Sequence, residues 1–249
     1  MAKKPRPPRR KQPSDESPDL PNTDKVNLGN LDPTLLRVIG MLTLQFQLRV
    51  DVLRAREGLE NDDPPEYHRR QYVRAVFAQL EGSTFTLKQL ALPSDTSSLT
   101  VAELALLRGE TYRLNDAGEA VVTPAYLTLA SDMRFAFRTY AKSVGLEYEL
   151  PVTEPGWSAL MRAKKIRDRL MHPRTAKDLE VTDSELACTT EAAEWFQTQY
   201  QEISELMTDQ IARDDGMTEA EVEAFREQRK QIVREQMAKE REARRDGDN

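Results

Sequence analysis

The sequence predicts an all-α protein, a helical bundle with antiparallel neighbours between two charged ends. Three observations carry that class. Apolar residues recur at three- and four-residue steps through most of the middle of the chain. Helix-start signatures of the Thr-x-x-Glu type stand at Thr100–Glu103, Thr182–Glu185 and Thr218–Glu221. No alternating apolar–polar run is long enough to read as a strand, and Val121-Val122 is too short to count.

The elements follow in order. Residues 1–30 carry Pro5, Pro7, Pro8, Pro13, Pro18 and Pro21 among charged residues, and read as a disordered tail. Its first part is basic (Lys3, Lys4, Arg6, Arg9, Arg10, Lys11), which suits either an RNA contact or a solubilising role. Asp32-Pro33 is an N-cap followed by Pro at the first helical position. The helix it opens has the stripe Leu35, Val38, Ile39, Leu42, Phe46, Val50 and Leu53, and ends at Gly58 and the 61–65 run. A second helix carries Tyr72, Val73, Val76, Phe77 and Leu80 and is expected to stop near Gly82, with a short segment from Phe85 to Leu92 after it. Thr100 opens a third. Asn115-Asp116-Ala117-Gly118 is a turn, and Thr123-Pro124 is expected to start a helix through Leu127, Ala130, Phe137, Tyr140, Ala141 and Val144. Gly145 supplies its left-handed C-cap.

After a loop at 146–154, a helix runs from about Pro155 to Met171 with Trp157, Leu160, Met161, Lys164 and Ile166. The box at Thr182 opens a long helix with Leu186, Trp195, Phe196, Tyr200 and Ile203, broken at Asp214-Asp215-Gly216. Residues 31–212 thus form one helical domain. Residues 213–249 are a charged helical extension with a thin stripe (Val222, Phe225, Ile232, Val233) and i,i+4 pairs such as Glu235 with Lys239. That extension reads as a solvated arm or a coiled-coil partner-binding arm.

Composition narrows the function. In 249 residues the net charge is −6, so nucleic acid must be met by a local positive patch and not by the overall field. The single cysteine, Cys188, excludes an intramolecular disulfide, and with only His68 and His172 beside it there is no ligand set for structural zinc. No apolar stretch is long enough for a membrane span and the N-terminus has no signal-peptide core, so the expected address is the cytoplasm. P-loop, dinucleotide-binding, Gly-x-Ser-x-Gly and His-Glu-x-x-His patterns are lacking. No cofactor is implied.

One segment concentrates chemistry: Ile166-Arg167-Asp168-Arg169-Leu170-Met171-His172-Pro173-Arg174. Pro173 disfavours helix at His172, so the imidazole sits where the helix ends, at the negative end of its dipole. Arg167 lies five residues earlier, about 7.5 Å along the axis. An imidazole transfers protons near neutral pH, and a guanidinium neutralises phosphoryl oxygens. Ribose supplies its own nucleophile, the 2′-OH, so this pair suits RNA cleavage without a metal. On spacing alone the plainer reading is favoured, namely an arginine in a surface ion pair and a histidine capping a helix.

The segment resembles the active-site motif of HEPN domains, in which Arg, then a polar residue, is followed by His four to six positions on, late in a helix. Arg167-Asp168 and His172-Pro173 match common forms of it. Gly156-Trp157 at the start of the motif helix and Asp178-Leu179-Glu180-Val181 leading to Trp195-Phe196 fit the pattern around it, over roughly 35–205. The resemblance implies a HEPN-like helical bundle that forms a homodimer with two motifs facing a shared cleft. It implies ribonuclease activity in many members, often in toxin–antitoxin or antiviral defence systems, with RNA and an antitoxin or defence-system protein as partners. Arg167 would bind and polarise the phosphate, His172 would be the acid/base, and Asp168 would orient one of them.

Three more residues are candidates for substrate binding. Arg169 and Arg174 add phosphate affinity or make exposed ion pairs. Glu81, from a neighbouring helix, orients the motif or stays a surface carboxylate. Tyr67-His68-Arg69-Arg70, with Arg74 one turn on, is a basic patch beside an aromatic, read as an RNA contact or a solvated helix face. The rival overall reading is a non-catalytic HEPN-like interaction or RNA-binding protein.

Overall fold

The structure, a computed structural model, describes residues 33–60, 65–92 and 98–228, together with positions 231 and 235. The basic N-terminal segment, Ile232, Val233 and Lys239, the expected partner of Glu235, lie outside the described residues. The described chain is mostly helical. In order come α1 (Pro33–Glu57), a 3-10 turn (Gly58–Glu60), α2 (Pro65–Ala91), α3 (Val101–Leu107), β1 (Glu110–Leu114), β2 (Ala120–Pro124), α4 (Leu129–Ser143), α5 (Pro155–Met171), a second 3-10 turn (Ala176–Leu179) and α6 (Asp183–Asp214). A further helix, α7, covers 219–228.

The central helix is α2, which packs against α1, α4, α5 and α6. Its apolar face puts Tyr72, Val73, Val76, Phe77 and Leu80 in the core. The steps between them are one, three and four residues, so they share one side of the helix. α4 buries Met133, Ala136, Phe137, Tyr140 and Ala141 by the same spacing. α5 buries Ala159, Leu160, Ala163, Ile166 and Leu170. The Phe137 ring stacks on Tyr148 (centroids 6.0 Å apart) and meets Phe196 edge-on (5.9 Å). Each such ring contributes about 1.5–3 kcal/mol by leaving water. The Tyr140 hydroxyl, pushed well above its ordinary range by burial, donates to Met207 Sδ and ties α4 to α6.

Three sequence expectations are corrected. First, α2 does not stop at Gly82 but runs through it to Ala91. Gly82 lies at the crossing with α1, where an added Cβ would meet Leu48 Cδ1, the far end of its side chain. Polar groups pin the same crossing, with Ser83 Oγ donating to Gln45 Oε1 and Gln45 Nε2 to Thr86 Oγ1, both at 2.7 Å.

Second, residues 110–124 form an antiparallel hairpin, and Pro124 ends a strand instead of starting a helix. The turn that was legible closes it. Asn115 Oδ1 accepts from the N–H groups of Ala117 and Glu119, and Gly118 takes φ +78°. α4 begins later, where Thr128 caps it by accepting from the Ser131 N–H.

Third, the described part of the α1 stripe is not buried, and the side chains of Leu35, Val38, Ile39 and Leu42 lie outside the described residues. Val52 and Ala55 pack on the core, while Phe46 and Leu53 are exposed to solvent. At the other end of the chain, α7 folds back on α6. Val222 is buried, and Arg226 bonds the buried Asp209 through Nε (3.1 Å) and Nη2 (2.6 Å).

Candidate functional site at the C-terminal end of helix α5

α5 starts at Pro155, in the first helical position after Glu154, and ends at His172. Pro173 forbids its continuation. His172 leaves the helix at φ −130°, ψ 55°, and its backbone N–H donates to the Asp168 carbonyl at 3.2 Å. The imidazole is exposed.

Arg167 is half-buried between two helices. Its Nη2 donates to Glu81 Oε1 of α2 at 2.5 Å, and its Nη1 to Asp168 Oδ1 at 3.2 Å. Lys164, one turn back, donates to the other oxygen, Asp168 Oδ2, at 2.5 Å. Partial burial pushes the Asp168 carboxyl up. The hydrogen bonds and charges of Lys164 and Arg167 outweigh it and hold the group below the ordinary carboxylate range. Asp168 therefore touches both motif residues, Arg167 through its side chain and His172 through its backbone. Among the described residues no hydrogen bond joins Arg167 to His172 directly.

The structure places Glu81, 44% exposed, beside Arg167, a contact that fits the orienting and the surface-carboxylate readings alike. Arg169 is used differently. Its Nη2 donates to the Glu180 carbonyl (2.6 Å) and to Glu185 Oε2 (3.1 Å), and its Nε is buried with no partner among the described residues. Arg174 is exposed, and its backbone N–H, with that of Thr175, donates to Asp178 Oδ2 at 2.8 Å. Arg69 and Arg70 are also occupied. Arg69 donates to the Val181 carbonyl (2.9 Å) and pairs with Asp183 (2.6 Å), and Arg70 donates to the Leu179 carbonyl (3.3 Å). Three arginines from α2 and α5 thus hold three consecutive carbonyls of the segment that follows the motif. Sequence reasoning gave Lys164 and Glu185 no part in the site. Their signals were the i,i+4 spacing of Lys164 to Asp168 and the capping box at Thr182.

Glu185 closes that capping box, accepting from the Thr182 N–H at 3.0 Å while it pairs with Arg169. Burial pushes its carboxyl up, but Thr182 and Arg169 outweigh it and hold it below its ordinary 4.5. A lowered folded-state value stabilises the fold above the unfolded pKa, and the gain is lost as pH falls through the folded value. Glu185→Gln is expected to cost about 1–2 kcal/mol at pH 7. The gap from wild type should narrow as pH drops below about 4.5. Denaturant unfolding at pH 7 and pH 3 measures it, and a gap independent of pH would reject the tie.

A groove of about 950 Å³ lies at the other end of α5, lined by Arg56, Glu154, Gly156, Glu191 and Trp195 among others. Its polar groups are paired: Trp195 Nε1 donates to Glu154 at 2.7 Å, and Glu191 meets Arg162 at 3.6 Å. Among the described residues no three His, Cys, Asp or Glu side chains gather as metal ligands, and no helix is long and apolar enough to cross a membrane. Set against protein-family models, curated proteins and solved structures, the chain matches none of them.

Proposed function

We propose that the chain is a metal-independent endoribonuclease of the HEPN type, acting as a homodimer on cytoplasmic RNA. One observation carries the reading. The end of α5 presents an exposed His172 and a guanidinium, Arg167, braced by carboxylates on either side, with Asp168 bonded to both. The proposed reaction needs only these groups. An imidazole takes the ribose 2′-OH proton as that oxygen bonds to phosphorus, and the bond from phosphorus to the 5′ oxygen breaks. The leaving oxygen then takes a proton from an imidazolium. Arg167 neutralises the phosphoryl oxygens as charge develops. The products are a 2′,3′-cyclic phosphate and a free 5′-hydroxyl. Toxin–antitoxin and antiviral defence systems are the setting the motif suggests.

Purified protein with single-stranded and structured RNAs in excess chelator tests this. Cleavage leaving 2′,3′-cyclic phosphate ends is the expected result. Intact RNA under every condition, or 3′-hydroxyl ends, would reject the proposed chemistry.

A second reading has a specific observation behind it. Arg167 already holds two carboxylates, Glu81 and Asp168, as a purely structural arginine would. A non-catalytic helical interaction protein is then the alternative, and binding of a partner without any cleavage would favour it.

A further inference from the structure

α4 buries one side in the core and carries a row of polar groups on another. Ser131, Arg134, Arg138 and Lys142 follow at steps of three and four residues, so they share a face. Lys142 has a carboxylate: Glu103 of α3 accepts from its Nζ through both oxygens, at 3.1 and 2.8 Å. Arg134 and Arg138 have none. Both are exposed, and among the described residues neither guanidinium makes a hydrogen bond or an ion pair. Like charges one turn apart repel and weaken a helix. Acidic side chains outnumber basic ones in the chain, 42 to 36, so a shortage of carboxylates does not explain the pair. The two arginines line a recess of about 410 Å³ between α4, Glu103 and the loop ahead of α5. Phe135, Leu150 and Val152 give the recess an apolar side. Glu149 lines it too, exposed and paired with neither arginine.

We propose that this recess binds a sugar phosphate. A phosphate monoester carries about −1.5 to −2 charges near pH 7, the amount two guanidiniums offset, and each guanidinium offers its oxygens a fork of N–H donors. A simple anion gains nothing from Glu149. Sugar hydroxyls do, because they donate to a carboxylate. Ser131 Oγ accepts from Thr128 Oγ1 at 3.0 Å and keeps its own proton to donate to the ligand. Six of the nine lining residues are polar, which suits a hydroxyl-rich body better than a flat aromatic base. Phe135, Leu150 and Val152 are left to cover the carbon face of the sugar. The volume falls within the range of about 300–1,000 Å³ of small-molecule sites, and inorganic phosphate alone would fill little of it. No lining residue belongs to the end of α5 that carries Arg167 and His172, so this binding function is separate from RNA cleavage and does not rest on it.

Titration calorimetry with ribose 5-phosphate and glucose 6-phosphate tests this, at about 0.15 M salt so that loose ion pairing is screened. At least one of the two should bind with a Kd below about 1 mM. Arg134→Ala and Arg138→Ala should each weaken that binding about tenfold or more. Glu149→Ala should weaken it as well, while leaving any affinity for inorganic phosphate unchanged. Neither arginine is bonded within the chain, so both alanine variants should keep the unfolding midpoint of wild type. Failure of both sugar phosphates to bind overturns the proposal. So does an affinity that survives loss of Arg134 and Arg138. Tighter binding of inorganic phosphate, or of adenosine 5′-monophosphate, also overturns it, since the recess would then select a bare anion or a base.

Discussion

Arg167→Ala and His172→Ala are each expected to lower RNA cleavage by about 10²- to 10⁴-fold, the range over which a positioned acid/base or a charge-stabilising donor acts. The structure makes this a clean test. His172 is exposed and ends its helix, and the Arg167 pair with Glu81 is only partly buried, the side chains being 28% and 44% exposed. Loss of either side chain should cost the fold no more than about 1 kcal/mol. A large fall in cleavage with an unchanged unfolding midpoint therefore reports chemistry and not unfolding. Lysine at 167 keeps the charge but cannot hold Glu81 and Asp168 from two nitrogens of one planar group, so Arg167→Lys should recover little. Equal cleavage by wild type and both alanine variants would falsify the site.

The largest structural effect is expected at Gly156. This residue is buried at the start of α5, and an added Cβ would overlap Trp195 Cβ, Cγ and Cδ1 of α6. Trp195 has little room to yield. Its Nε1 is bonded to Glu154, and its ring meets Trp157 edge-on with centroids 5.7 Å apart. Overpacking of this kind costs about 1–3 kcal/mol for one methyl group and more for a branched side chain. Gly156→Ala should lower the melting temperature by several degrees, at roughly 2–4 °C per kcal/mol for a chain of this size, and Gly156→Val by more. The effect arises from space and not from backbone conformation, since Gly156 is absent from the positive-φ glycines. An alanine variant as stable as wild type would show that α5 and α6 are not so closely packed.

Local signals were legible in the sequence wherever the cause was local. All three capping boxes form, with Glu103, Glu185 and Glu221 each accepting from the backbone N–H of its N-cap threonine. Gly145 ends α4 at φ +75° as its position required. The limits of α5 follow from Pro155 and Pro173. What was misread had its cause far away in the chain. Gly82 looks like a helix stop in isolation, and its place inside α2, facing Leu48 of α1, follows only from the fold. The α1 stripe is periodic in either case, and periodicity does not say which side meets α2. The hairpin does alternate, at Tyr112, Leu114 and again at Val122. Its apolar face points away from the helices, so no buried partner marks it as a strand. The candidate site divides in the same way. Arg167, Asp168 and His172 stand together in sequence, whereas the bond from Arg167 to Glu81 spans 86 positions and follows from the fold alone.

The arginine strap after the motif has a consequence for how the molecule opens. The carbonyls of Leu179, Glu180 and Val181 are bonded by side chains rooted in α2 and α5. Loops ordinarily fray on their own at little free-energy cost. This one cannot leave without giving up anchors on two core helices, so its opening belongs to the cooperative unit of the bundle. A protease that cuts between 176 and 182 would then count globally unfolded molecules, although the segment lies largely at the surface.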